Sequence, residues 1–226
     1  MKMISFTLEK EKISVYPALI PHAPVICIHT FGDDGDQIYR LLQNMDCPDF
    51  SLVAVSGLHW EHDMAPWDCP PVTESGSPFT GGADDQLSLL TGEILPAAEQ
   101  YIPGPVLWRG IAGYSLAGLF AVYSLWRTDL FSRVASISGS LWFPGFREYI
   151  LSHEMAGKPQ HLYFSLGDRE HRTRNPSMKS VRRNTEEIQA FFQRKGIDTA
   201  FRLNPGNHFQ DAAERTAAGI AWLLDR

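Results

Sequence analysis

The stretch Trp108-Arg109-Gly110-Ile111-Ala112-Gly113-Tyr114-Ser115-Leu116-Ala117-Gly118-Leu119-Phe120 sets a serine among very small residues, with a strand-like apolar run before it and a helix-like run after it. That order suits a sharp strand-to-helix turn, which holds the serine hydroxyl out at the carboxyl edge of a sheet. Gly113 and Ala117 matter because such a turn crowds its own backbone, and a large side chain at either position would clash. The common pattern is G-x-S-x-G; here Ala117 takes the last position and Gly118 follows it. Five residues of this kind also fit an ordinary β–α turn, so the rest of the chain decides.

Working outward, apolar strand candidates alternate with helix candidates, which predicts a mostly parallel central sheet covered by helices on both faces. Strands are expected at 24–28, 51–55, 107–112, 134–137, 161–166 and 199–203, with an antiparallel edge formed near 5–8 and 13–16. Leu87, Leu90, Ile94, Ala97 and Tyr101 recur at spacings of three and four, so 85–101 reads as a helix, with Asp84 as its cap and Pro96 bending or shortening it. Further helices are expected over 116–127, over 184–195 with Gly196 as the stop, and over 210–224 with Ala213, Ala217, Ile220 and Leu224 buried. Between 138 and 161 there is room for one helix, near 146–155, and so for no large lid domain. The segment 57–83 is rich in Pro, Gly, Trp and Asp; with Trp60, Trp67 and Phe79 inside it, it reads as an ordered wall.

A serine hydroxyl is a weak nucleophile at neutral pH and needs a base to take its proton and a third group to orient that base. In α/β-hydrolases those partners follow the serine in the order acid, then histidine. Downstream of Ser115, one strand runs into Gly167-Asp168-Arg169-Glu170 and the next into Asn204-Pro205-Gly206-Asn207-His208-Phe209. Both groups fall just past the carboxyl ends of predicted strands, on the edge where Ser115 sits. His208 is the expected base, since Pro205 and Gly206 make a loop that projects it. Glu170 is the expected acid, three residues after the strand-ending Gly167, with Asp168 kept as the alternative. The oxyanion of acyl transfer needs two preorganised donors: the backbone N–H of Leu116, and one from the turn holding Phe31 and Gly32.

At 226 residues with 44% hydrophobic and 20% charged positions, the chain is expected to be one globular domain, 1–226. A net charge of -6 does not suggest a general affinity for nucleic acid or an anionic membrane. No stretch approaches the ~20 apolar residues that cross a bilayer, and no leader pattern opens the chain. Cys27, Cys47 and Cys69 are odd in number and lack metal-type spacing, so a reduced, cytoplasmic protein is expected. His59 and His62 are three apart in a loop, not in the spacing of a helical zinc site, and Asp33, Asp34 and Asp36 lack the glutamate that ends a calcium loop; they fit a helix cap instead. Arg169, Arg172, Arg174, Arg182 and Arg183 read first as a solvated face and second as a lure for an anionic substrate.

Taken together, Gly81-Gly82-Ala83-Asp84, Gly92-Glu93-Ile94-Leu95-Pro96, the stretch 109–119, Ser136-Ile137-Ser138-Gly139-Ser140-Leu141-Trp142, Gly167-Asp168-Arg169-Glu170 and Gly206-Asn207-His208 resemble one family of α/β-hydrolases. It is the esterase group that includes esterase D and the trilactone esterases of siderophores such as enterobactin. The resemblance implies a serine hydrolase without metal or organic cofactor, acting on a small-molecule ester through an acyl-serine intermediate. By matching position it makes Ser115 the nucleophile and His208 the base, and it places Trp142 near the acyl pocket; Trp60 and Trp67 are expected as further pocket walls. The competing expectations are a scaffold that only binds, or an acyltransferase using the same three residues.

Overall fold

The computed structural model describes residues 3–73 and 76–226. Its strands are β1 (Ile4–Leu8), β2 (Glu11–Tyr16), β3 (Val25–His29), β4 (Ser51–Ser56), β5 (Asp68–Cys69), β6 (Phe79–Thr80), β7 (Arg109–Tyr114), β8 (Arg133–Ile137), β9 (His161–Gly167) and β10 (Asp198–Asn204). Its helices are α1 (Gly35–Gln43), α2 (Trp60–Asp63), α3 (Ala83–Leu89), α4 (Leu95–Glu99), α5 (Leu116–Tyr123), α6 (Phe146–Ser152), α7 (Pro176–Lys179), α8 (Val181–Arg194) and α9 (Ala212–Leu224).

Eight strands form one sheet in the order β1-β2-β4-β3-β7-β8-β9-β10. From β4 to β10 all neighbours are parallel, and β1 and β2 add the antiparallel edge. Strands β3, β4 and β8 are buried along their whole length, as expected of parallel strands covered on both faces. One face is sealed by α1 and α9, whose Ile38, Leu42, Ala217, Ile220 and Leu223 meet Ile26, Ile28 and Ala112. The other is sealed by α3, α5, α6 and α8. Chain order reverses between β3 and β7: β4 follows β3 to one side and β8 follows β7 to the other. In open α/β sheets ligands sit outside the carboxyl ends of the strands at such a point. Ser115 and the Phe31 turn lie there, on adjacent strands.

Three local outcomes differ from the sequence expectation. Pro96, expected to bend or shorten the helix over 85–101, is instead accommodated by a change of helix type: Leu90–Ile94 forms a π-turn in which Leu95 N–H donates to Leu90 O, five residues back, and the helix continues to Glu99. That wider turn accommodates a residue that lacks an N–H and crowds the carbonyl four positions before it. Asp84 does not cap this helix, whose N-cap is Gly82; its carboxylate accepts from Tyr123 Oη (2.7 Å) and pairs with Arg127 (2.8 Å). Ala213 is only half-buried, and Arg215 and Thr216 take buried positions on α9 in its place. Gly196 ends α8 as expected, with φ +70°. Between β8 and β9 the chain inserts only α6, so no large lid stands over the sheet edge.

Candidate active site

The turn after β7 is built around backbone crowding. Ser115 has φ 60° and ψ −122°, a region that an L residue enters only under strain. It is held there from both sides: its N–H donates to Ile137 O (3.1 Å), and its carbonyl accepts from Ser140 N–H (3.0 Å). A Cβ on Gly113 would fall 2.3 Å from the Ala117 carbonyl carbon and oxygen, so only glycine lets β7 and α5 approach this closely. Helix α5 is buried at all eight positions, which anchors the turn rigidly in the core.

Ser115 Oγ lies 3.0 Å from His208 Nε2, and His208 Nδ1 lies 2.9 Å from Glu170 Oε2. An ionised carboxylate only accepts, so Nδ1 carries the imidazole proton and Nε2 is left free to accept from the serine hydroxyl. Glu170 is nearly buried, and its other oxygen accepts from the Gly167 N–H and from Ser138 Oγ (2.7 Å). Burial pushes the Glu170 carboxyl up; the hydrogen bonds from His208 and Gly167 outweigh it and leave the group below the ordinary carboxylate value. Asp168 takes a different place on the same turn: its Oδ1 accepts from the Gly206 N–H (2.8 Å) and so braces the loop that carries His208.

Two cavities meet at Ser115, His208 and Phe209. The first, about 640 Å3, is walled by His29, Thr30, Phe31, Trp60 and the start of α9. The second, about 430 Å3, is walled by Ser140, Trp142, Arg169, Arg172 and Met178. Ser140 Oγ stands 3.4 Å from the Ser115 oxygen. Leu116 is the first residue of α5, where a backbone N–H has no intrahelical acceptor. In the turn after β3, Thr30 Oγ1 donates to Gly32 O (2.7 Å), which fixes the loop; Phe31 lines the first cavity, and the exposed Gly32 does not.

Of the expected pocket walls, Trp60 and Trp142 line the cavities, and Trp67 lines neither. The Trp67 indole N–H donates to Pro144 O (3.0 Å), and its ring packs on Phe143 and Tyr149. An aromatic side chain in a long loop gains more by covering core surface than by standing at a rim. Apart from 74 and 75, which lie outside the described residues, the segment 57–83 therefore acts mainly as a buttress, holding α2 and the paired strands β5 and β6, with Trp60 as its contribution to the cavities. His62 is engaged by Thr80 Oγ1 (2.8 Å), and among the described residues no group of three or more His, Cys, Asp or Glu is placed to hold a metal ion. Arg182 pairs with Glu186 on α8, whereas Arg169 and Arg172 face the second cavity.

Sequence reasoning missed three residues that hold this arrangement. Tyr114 donates its hydroxyl to His208 O, Ser138 donates to Glu170, and the buried Arg215 reaches the histidine loop from α9. The one available signal was a single arginine, next to Glu214, in a helix made mostly of small and apolar residues.

These features define an α/β-hydrolase fold. No family model matches the chain. An IroE-like serine hydrolase from Shewanella oneidensis superposes with a TM-score of 0.80 at 20% identity, covering 99% of this chain and 80% of that one. A siderophore hydrolase, EstA from Aspergillus nidulans, gives 0.74 at 18% identity over 99% and 94%. An uncharacterised protein of Bacillus subtilis, YbbA, is 22% identical over 170 residues, 74% of this chain and 68% of that protein. Both of these structural neighbours are described as hydrolases, one of them a siderophore hydrolase.

Proposed function

We propose that this chain is a serine esterase that cleaves a small-molecule carboxylic ester through an acyl-serine intermediate. The observation that carries the reading is the unbroken relay from Ser115 through His208 to Glu170, with spacings of 3.0 and 2.9 Å. Ser115 Oγ attacks the ester carbonyl as its proton passes to His208 Nε2. The N–H groups of Leu116 and of the Phe31–Gly32 turn receive the oxyanion, a role in which losing one donor typically costs about 10²–10³ in rate. The imidazolium, stabilised by Glu170, hands its proton to the departing alkoxide. Water then attacks the acyl carbon as its proton passes to the same imidazole, and the bond to Ser115 Oγ breaks as the imidazolium returns that proton to the serine and the acid leaves. The cavities on either side of Ser115 give separate room to the acyl and alcohol halves. Siderophore-type lactones and short acyl esters are the first substrates to try, given the neighbours' named activities. The free cysteines favour a reducing compartment, and we place the enzyme in the cytoplasm.

A fluorophosphonate probe is expected to label Ser115, and Ser115→Ala to lose both labelling and p-nitrophenyl ester turnover. Glu170→Gln is expected to lower kcat by about 10⁴-fold, as when a triad acid loses its charge; Asp168→Asn is expected to cost far less. Full turnover by Ser115→Ala would refute the reading.

A further inference from the structure

His208 sits on an irregular loop after β10, with no sheet ladder or helix to fix it. The backbone carbonyls of such a segment need partners if the loop is to hold one shape. Two of them, on either side of Gly206, are taken by one side chain. Arg215 Nη2 donates to Pro205 O (2.9 Å) and Nη1 donates to Asn207 O (3.0 Å). The same Nη1 stands 3.5 Å from Glu170 Oε1 and 3.5 Å from Ser138 Oγ. Arg215 is only 4% exposed. A buried guanidinium is costly unless paired, and truncating one partner of such a pair leaves a charge stranded.

We propose that Arg215 is a positioning residue for the reaction, the cationic fork that fixes the histidine loop against the catalytic acid. The proposal rests on the Ser115–His208–Glu170 reading. One consequence separates this role from that of a core-filling arginine. The fork sets the distance between His208 and Ser115, so its loss acts on kcat more than on KM.

The test compares wild-type protein with Arg215→Met and Arg215→Lys, counting active sites by fluorophosphonate titration and folding by thermal melting. Per titrated site, Arg215→Met is expected to lose about 10–100-fold in kcat, the scale of a misplaced catalytic group, with KM within about threefold. Arg215→Lys keeps the charge but cannot reach both carbonyls, so its kcat per titrated site still falls at least fivefold. Wild-type kcat in Arg215→Lys would overturn the proposal, even if Arg215→Met does not fold. So would a loss in Arg215→Met that merely follows the number of titratable sites, or one that falls on KM rather than kcat. If wild-type protein itself fails to react with the probe, the esterase reading has failed instead.

Discussion

At Ser115 the backbone is bent into φ 60°, ψ −122° and pinned by hydrogen bonds to Ile137 and from Ser140. Strain of this kind costs about 1–3 kcal/mol at a non-glycine residue. The fold accepts the cost because the geometry thrusts the hydroxyl past the sheet edge toward His208. Relieving the strain is therefore expected to raise stability as it destroys function. Ser115→Gly keeps the turn and removes the clashing Cβ, at the expense of a more flexible unfolded chain. The net expectation is a gain of about 1 kcal/mol in unfolding free energy with no ester turnover, whereas Ser115→Ala retains the Cβ and melts near the wild type. Denaturant titration of the two variants side by side checks this; a Ser115→Gly protein less stable than Ser115→Ala would show that no strain is stored there.

Among the elements, the β7–α5 turn was the most legible in the sequence, because its requirement is local: small residues at 113, 117 and 118 permit one backbone path and few others. The carboxyl-edge positions of Glu170 and His208 were also legible, since strand ends can be read from apolar runs. The roles of Tyr114 and Ser138 could not be read, because they bond partners 94 and 32 residues away and no local pattern encodes that; the carbonyls that Arg215 binds lie only 8 and 10 residues before it, but on an irregular loop whose shape no local pattern sets. Trp67 and Asp84 were assigned by residue type, and long-range packing put both to other uses. The same contrast between crowded and open positions predicts two glycine substitutions. Gly113→Ala drives a Cβ to 2.3 Å from the Ala117 backbone, which must pry α5 from β7 and is expected to cost about 3 kcal/mol or more. Gly92, exposed in the π-turn between α3 and α4, has nothing within 4 Å of its added Cβ. Gly92→Ala is expected to stabilise by about 0.5–1 kcal/mol, the usual helical difference. Thermal melts of both variants test the pair, and equal effects would contradict the close-approach account of the turn.

For the molecule as a whole, buried titratable groups tie stability to pH, and they do not all pull in one direction. His29 ends β3 just before the Phe31 turn. It is buried against Phe120 and faces Gln86, which in turn donates to the fully buried Glu11. Burial lowers the His29 imidazole to about 3, against about 6.5 in an unfolded chain. Below pH 6.5 the unfolded state therefore takes up a proton that the folded state refuses, and stability falls as the pH drops toward 3. Glu170, held below the usual carboxylate value, adds to the loss only once the pH passes below about 4.5. Glu11 works in the opposite sense: burial raises its carboxyl, so its destabilising charge is relieved as the pH falls toward 4.5. The contribution of His29 can be isolated because its window opens higher than that of Glu170 and its replacement leaves Glu11 in place. Between pH 7 and pH 5, wild-type protein is expected to lose about 2 kcal/mol more stability than His29→Gln, whose side chain takes no proton. Urea titrations at several pH values give the two curves, and parallel lines across that interval would mean that His29 takes up its proton equally in the folded and unfolded states.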